Sequence, residues 1–210
     1  MAEDSSGSLG AVEIVTQKYA ITGRCYGITE YTRLIDLLNI RDVTHLQLNT
    51  VKVRELLHSN EVLAAEGPLL IDKSSVVFAR SLESPEIEAK RREAHRMDLV
   101  ERAKYELLVF SAPFRILGNV HLVKDADLKI ALPRLFETYL AMTETKVIHE
   151  DDSDLVWETD FVVVNGGRIE MVSPAAAQAQ RASEPQAGPA SVAGEWEPEE
   201  PPGDIRPAAA

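Results

Sequence analysis

The sequence predicts an α+β protein that is mostly β, built as two tandem, small, curved β-sheet or barrel-like modules. Each module is expected to carry one short helix, and a charged helix joins the two. Three observations predict this arrangement: blocks of sequence that recur at a spacing of about 94 residues, a charged run between the two halves, and a suitable length. The chain has 210 residues, of which 45% are hydrophobic and 27% are charged, so it can bury a core.

The internal repeat consists of three pairs of segments. Residues 19–25 and 114–120 share the pattern aromatic-x-Ile-x-Gly-x-apolar, residues 45–53 are paired with 139–147, and residues 69–78 with 162–171. Three blocks in one order at a near-constant spacing indicate a duplication. Because neither copy alone has a large core, the two copies are expected to pack on each other.

Glycine falls inside a predicted strand in both copies, at Gly23 and Gly118. A glycine in such a position usually marks a β-bulge or a sharp bend. Small barrels need bends of this kind in order to close. We therefore expect each copy to form a strongly curved sheet.

Composition divides the chain into five parts. Residues 1–10 are small and polar and are predicted to be disordered. Residues 11–80 form copy one, residues 81–104 the linking helix, and residues 105–173 copy two. Residues 174–210 are rich in Ala, Pro and Glu, and such a segment buries too little apolar area to offset its ordering entropy, so a disordered tail is predicted.

The linking helix shows clear start signals and a charged surface. Ser84 is a suitable capping residue and Pro85 suits the first helical position. Its basic cluster, Lys90-Arg91-Arg92 with Arg96, is interleaved with glutamates. Nucleic-acid surfaces need an unopposed basic face, so we interpret this segment as a solvated helix with internal salt bridges.

Each copy is predicted to hold one short helix. In copy one it follows Thr32, a plausible cap, and ends at Asn39, with leucines at positions 34, 37 and 38 turned towards the sheet. In copy two it spans residues 128–138 and is broken or bent at Pro133.

Charge and composition limit the classes of function. The formal net charge is -12, which disfavours nucleic acid and anionic membranes as partners. The single cysteine, Cys25, excludes an internal disulfide framework and is interpreted as a core residue. The N-terminus does not resemble a signal peptide and the apolar runs are too short to span a bilayer, so a cytoplasmic location and no membrane partner are expected.

A search for catalytic motifs finds no convincing constellation. Gly166-Gly167 lacks the flanking residues of a phosphate loop and is interpreted as a hairpin turn. The densest set of candidate metal ligands is the segment from His149 to Asp154, which lacks the spacing of a calcium loop. The sequence therefore predicts no catalytic residue, no cofactor and no metal site, although a small metal-dependent enzyme using His149 with Asp151 or Asp154 stays an alternative.

Copy one carries a family-like pattern: Tyr19-x-Ile-x-Gly23, then Arg33-Leu-Ile-Asp36-Leu-Leu-Asn39, then a Leu-x-Leu strand. It resembles a bacterial domain family of unknown function. Copy two keeps the family's closing pattern at residues 169–174 but has lost the helix signature. The resemblance implies no activity. The closing strand is also similar to the last strand of Sm-like RNA-binding barrels.

The predicted function is non-enzymatic binding or assembly, with a protein partner or self-association. The candidate partner-binding residues are Arg33, Asp36 and Asn39, which approach one side of the short helix, and Trp196, the one large hydrophobe in the acidic tail. A structural interpretation of the helix trio pairs Arg33 with Asp36. The main alternative is an Sm-like nucleic-acid binder, which a shared face for Arg24, Lys52, Arg54 and Arg115 would favour.

Overall fold

The computed structural model describes residues 9–29, 31–57, 62–65, 67–94 and 101–175. The strands are β1 (Leu9–Thr16), β2 (Tyr19–Tyr26), β3 (His45–Glu55), β4 (Val62–Ala65), β5 (Leu69–Asp72), β6 (Val76–Ser81), β7 (Arg102–Ser111), β8 (Phe114–Val123), β9 (Tyr139–His149), β10 (Val156–Asn165) and β11 (Met171–Pro174). The helices are α1 (Leu34–Leu38), α2 (Pro85–Ala94) and α3 (Leu128–Arg134), with one-turn helices at Lys73–Ser75 and Gly166–Arg168. The predicted mostly-β composition is confirmed.

The eleven described strands form one antiparallel sheet in the order β11-β7-β8-β9-β10-β6-β1-β2-β3-β4, with β5 also paired to β3. β4 and β5 lie one after the other along the same side of β3. We call β1–β6 the first strand set and β7–β11 the second. The two sets are joined where Val163 and Val164 of β10 pair with Ala79 and Phe78 of β6. We call this pairing and its surroundings the junction.

The strand order within the two sets is the same. It runs β6-β1-β2-β3-β5 in the first set and β11-β7-β8-β9-β10 in the second. Gly23 pairs with Val12 of β1, and Gly118 pairs with Leu107 of β7. In both sets the register to the next strand shifts at the glycine, so both glycines lie at the β-bulges expected from the sequence.

The bulge glycines lie close to the backbone of the neighbouring strand. A Cβ atom on Gly23 would lie 3.0 Å from the carbonyl oxygen of Asn49, and one on Gly118 would lie 3.2 Å from that of Thr143. A Cβ atom on Gly167, by contrast, would lie no closer than 3.4 Å to the nearest atom, the side-chain oxygen of Asn165. At both bulges the neighbouring strand would have to move by a few tenths of an ångström to admit a methyl group.

Gly23→Ala is expected to lower the free energy of unfolding by about 1–3 kcal/mol, because the strand pair must separate to admit the methyl group. Gly167→Ala is the matched control and is expected to change it by less than about 0.5 kcal/mol. Urea titration of both variants checks this. Equal midpoints for the two would contradict the steric explanation.

Two hydrophobic clusters form the core, and each crosses the junction. The first set's cluster includes Val163 of β10, and the second set's cluster includes Val77 and Phe78 of β6. Phe78 meets Phe114 and Trp157 edge to face, with ring centroids 5.4 Å apart in both pairs. The two sets therefore share their cores as well as their sheet.

Several observed boundaries differ from the sequence-based ones. β1 already begins at Leu9, within the range 1–10 predicted to be disordered. β7 begins at Arg102, inside the range 81–104 predicted for the linking helix, because the β7–β8 hairpin extends to a pairing of Arg102 with Val123. α2 ends at Ala94.

At the C-terminal end, β11 includes Pro174, the first residue of the predicted tail. The amide of Ala175 donates to the carbonyl of Glu106 at 3.0 Å, which continues the strand pairing beyond the predicted boundary. The rest of the predicted tail, 176–210, lies outside the described residues. In the second set, α3 ends at Arg134, one residue after Pro133, earlier than the predicted end at 138.

Candidate functional site

The predicted partner-binding pair on α1 is engaged within the helix itself. The Arg33 guanidinium donates through Nε and Nη2 to both carboxylate oxygens of Asp36, at 2.9 and 2.8 Å. Asp36 also accepts the backbone amide of Arg33, at 3.2 Å, so it caps the helix at residue 33 and not at the predicted Thr32. These contacts match the structural interpretation of the pair.

Asn39, the third residue of the predicted trio, reaches across to the second strand set. Its Nδ2 donates to the carbonyl of Tyr139 at 3.1 Å, and its Oδ1 accepts the amide of Tyr139 at 2.9 Å. The side chain thus acts as a strand partner for the first residue of β9. The trio does not converge on one point: Arg33 and Asp36 bind each other, while Asn39 fixes the junction.

Two further polar side chains, those of Tyr139 and Asn165, bond across the junction, while that of Lys73 bonds within the first strand set. Lys73 is buried, and its Nζ donates to the carbonyl of Ile40 at 2.7 Å. The Tyr139 hydroxyl donates to the carbonyl of Lys73 at 2.5 Å, and Asn165 donates to that of Val76 at 2.9 Å. Burial lowers the pKa of the Lys73 amine and raises that of the Tyr139 hydroxyl.

Two open clefts lie at the junction. One of about 330 Å³ has Asn39, Lys73, Tyr139 and Asn165 in its lining. The other, of about 390 Å³, includes Arg168, whose Nε donates to the carbonyl of Ser74 at 2.6 Å. Except for that of Lys73, these side chains already bond to backbone groups of the opposite strand set, so they hold the two sets together.

Sequence reasoning did not identify Lys73, Tyr139 and Asn165. A signal was present, because the two predicted copies differ at these positions when they are aligned: Lys73 corresponds to Gly166, Tyr139 to His45, and Asn165 to Asp72. Unlike residues at matching places are expected where one strand set forms a contact that the other does not.

Cys25 is a core residue, as predicted from the sequence. Its side chain is fully buried, and burial raises the pKa of the thiol to about 12. A thiol held in its neutral form is a poor nucleophile.

Cys25→Val is expected to reduce the loss of stability at alkaline pH. An unfolded thiol loses its proton near pH 8.5, whereas the folded thiol keeps it until about 12. Between these values the unfolded state binds fewer protons, so the free energy of unfolding falls as pH rises, by at most about 1.4 kcal/mol per pH unit. Urea titrations at pH 8 and pH 10.5 measure the effect. An identical pH slope for Cys25→Val and the wild type would contradict it.

In the segment considered as a metal site, the aspartate side chains do not lie around the histidine. His149 is buried and packs edge to face on Phe114, with centroids 5.1 Å apart. Its Nδ1 accepts the backbone amide of Asp151 at 3.2 Å, while the side chains of Asp151 and Asp154 are exposed. Among the described residues, no three His, Cys, Asp or Glu side chains are grouped so that they could hold a metal ion.

The basic cluster of the linking helix is partly used for packing. Arg91 is only 4% exposed, and its Nε donates to the carbonyl of Thr29 at 2.8 Å. Its Nη1 pairs with Glu88 at 2.7 Å. Arg91 thus docks α2 on the first strand set; Arg96 lies outside the described residues.

The strands at the ends of the sheet carry exposed apolar side chains. In the part of the chain that the structure describes, β11 pairs only with β7, and β5 only with β3. Met171 of β11 is 58% exposed and Leu70 of β5 is 63% exposed. Apolar side chains on unpaired strand edges are typical of surfaces that accept another strand.

Trp196, the fourth predicted partner-binding residue, lies outside the described residues. Within the described ranges, no helix is long and apolar enough to cross a membrane. No protein-family model, no curated protein and no solved structure matches this chain.

Proposed function

We propose that this chain is a cytoplasmic, non-enzymatic binding and assembly protein built from two copies of one β module. Its protein partner is contacted through the free strand edges at the two ends of the sheet. The observation that carries the proposal is the exposure of apolar side chains on β5 and β11, at places whose counterparts at the junction are fully buried.

Strand pairing supports the duplication residue by residue. Ile14 pairs with Ile21, and Val109 pairs with Ile116. The next contacts follow the same pattern: Ile21 pairs with Val53, as Ile116 does with Val147. These pairings align the copies as the three sequence blocks do.

The bulges support the same alignment. Opposite Gly23, the first set has Thr50 with a φ of 53°, and opposite Gly118 the second set has Glu144 with a φ of 50°. Left-handed conformations are uncommon for residues other than glycine. An identical irregularity at matching places is expected of two copies of one fold.

The one-turn helices extend the correspondence to the edges. Asp72 and Asn165 cap these turns in the same way, each accepting the amide two residues later. Leu70 lies two residues before the cap Asp72, as Val163 lies two residues before the cap Asn165, so these two residues correspond. Phe78 and Met171 correspond because each lies six residues after its cap. Val163 and Phe78 are both 0% exposed, so a strand partner buries these positions at the junction and is missing at the ends.

Site-specific photo-cross-linking in the native cell tests the proposal. A photoreactive residue at position 70 or 171 is expected to yield protein adducts, because both positions lie on unpaired edges. The control is position 130, since Ile130 on α3 is equally exposed, at 63%, but lies on no strand. Adducts that form as readily from position 130, or none from either edge, would contradict the proposed function.

A second candidate function, nucleic-acid binding, is favoured by one observation. Lys52 and Arg54 alternate on β3 and so lie on one face of the sheet. Lys52 pairs with Thr22, two residues before the exposed Arg24 on β2, so three of the four basic residues singled out in the sequence share a face. Arg115, the fourth of these residues, lies in the second strand set, where its Nε is 3.8 Å from Oε1 of Glu150. Under this alternative, labelled single-stranded RNA shifts in a gel at low salt and Lys52→Glu weakens the shift; the main proposal expects no shift.

A further inference from the structure

We infer that the partner at the free edges is a second copy of this chain, joined head to tail by the same strand pairing that forms the junction. The β5 edge of one copy pairs with the β11 edge of the next. This inference rests on the proposed function, because it names the partner of the edges to which that function is assigned.

The junction shows how such a contact is built. Val163 pairs with Ala79, and Val164 with Phe78. Each strand set contributes a residue to the other's core: Val163 packs in the first set's cluster, and Phe78 in the second set's. The pairing is short, but it is held by an exchange of two fully buried apolar side chains.

The free edges carry the matching halves of this contact. By the correspondence of the copies, Leu70 is placed to pair with Val172 of the next chain, and Ile71 with Met171. Leu70 would then pack in the hydrophobic cluster of the second strand set of the chain that it contacts. Met171 would pack in the hydrophobic cluster of the first strand set of the chain that it contacts. Leu70 and Met171 are among the most exposed large hydrophobic residues of the described chain, and the contact buries both. Pro174 has no N–H to offer, but its counterpart Ser81 lies outside the junction pairing.

The contact joins two different edges, so it is heterologous. Each chain has one β5 edge and one β11 edge, and using both generates a closed ring or an open filament. A contact between two β11 edges would instead end at a dimer. This difference allows the arrangement to be tested by mixing variants.

One residue difference between the two copies is expected to make the contact between chains weaker than the junction within a chain. Asn165 donates Nδ2 hydrogen bonds to the carbonyls of Lys73 and Val76 across the junction. Its counterpart at the free edge is Asp72, which when ionised has no donor for the matching carbonyls of Gly166 and Ile169. The Ser74 amide and hydroxyl hold the pKa of Asp72 below its usual value, and the net charge of -12 adds repulsion between copies. We expect an association that strengthens with salt.

Sedimentation velocity of the purified full chain over a range of concentrations tests the inference. The wild type is expected to form species larger than a monomer as concentration and salt increase. Leu70→Lys alone and Met171→Lys alone are each expected to stay monomeric, because each lacks one half of the contact. Ile130→Lys, an equally exposed substitution, is expected to assemble like the wild type.

Mixing the two edge variants is the decisive step. The Leu70→Lys chain keeps its β11 edge and the Met171→Lys chain keeps its β5 edge, so an equimolar mixture is expected to form a one-to-one dimer and nothing larger. Asp72→Asn is expected to lower the dissociation constant of the otherwise unchanged chain by about threefold to tenfold, through the restored donor.

Three results would overturn the inference: a wild type that stays monomeric at every concentration, an edge variant that dimerises alone, or a mixture that does not associate. If the purified chain is monomeric while position 70 or 171 still cross-links to a different protein in the cell, the inference fails and the proposed function stands. If the edges yield no adduct in the cell either, both fail.

Discussion

Phe78→Ala is expected to lower the free energy of unfolding by about 3–5 kcal/mol. Phe78 is fully buried, and its ring packs edge to face against Phe114 and Trp157 of the other strand set. Its removal leaves a cavity where both cores meet. Because a domain of this size is stable by only about 5–15 kcal/mol, this is a large share of its total stability.

The matched control for this variant is Met171→Ala, at the corresponding place in the second strand set. Met171 is 58% exposed, so the same truncation is expected to change the unfolding free energy of the isolated chain by less than about 0.5 kcal/mol. Chemical denaturation at low protein concentration compares the two. Similar losses from both variants would mean that the junction does not bury Phe78 in solution.

Leu38→Ala is expected to cost about 2–5 kcal/mol. Leu38 is 2% exposed and packs with Leu34 and Leu37 in the core of the first strand set. α1 has five residues and is too short to be stable on its own. Its attachment therefore depends on these leucines, and thermal or urea unfolding measures the loss.

The control on the other face of α1 is Asp36→Ala, which removes the cap and the ion pair with Arg33. Its expected cost is about 1 kcal/mol, because the pair is about one-third exposed and water takes over part of its role. The order of the two effects is the test. If Asp36→Ala removed partner cross-linking at unchanged stability, α1 and not the sheet edges would be the binding surface.

The parts of the fold that follow from local patterns could be predicted from the sequence. The burial of Leu34, Leu37 and Leu38 follows from helical spacing, and Gly23 and Gly118 marked bulges because glycine is rarely useful inside a strand otherwise. The burial of Cys25 followed from its apolar counterpart in the predicted second copy. Each of these inferences needs only neighbouring residues or the repeat.

Strand ends and the junction could not be predicted in this way. Arg102 is highly polar, and a polar residue suits a solvated helix as well as the end of a hairpin. Pairing with Val123 decides between them, and that contact depends on the whole hairpin. Asn39 is similarly compatible with two roles in the sequence, as the end of a helix and as a polar surface residue. Its bonds to Tyr139 exist only once β10 has paired with β6.

The central claim is that the ends of the sheet are working surfaces equivalent to the junction. Amide hydrogen exchange of the full chain as a function of concentration tests it most directly. At low concentration, the outward-facing amides of β5 and β11 are expected to exchange quickly, while those of Phe78 and Val163 exchange only on global unfolding. With rising concentration, the amides of both edges are expected to become protected together. Edge exchange that stays independent of concentration, or junction amides that exchange as fast as the edges, would contradict the claim.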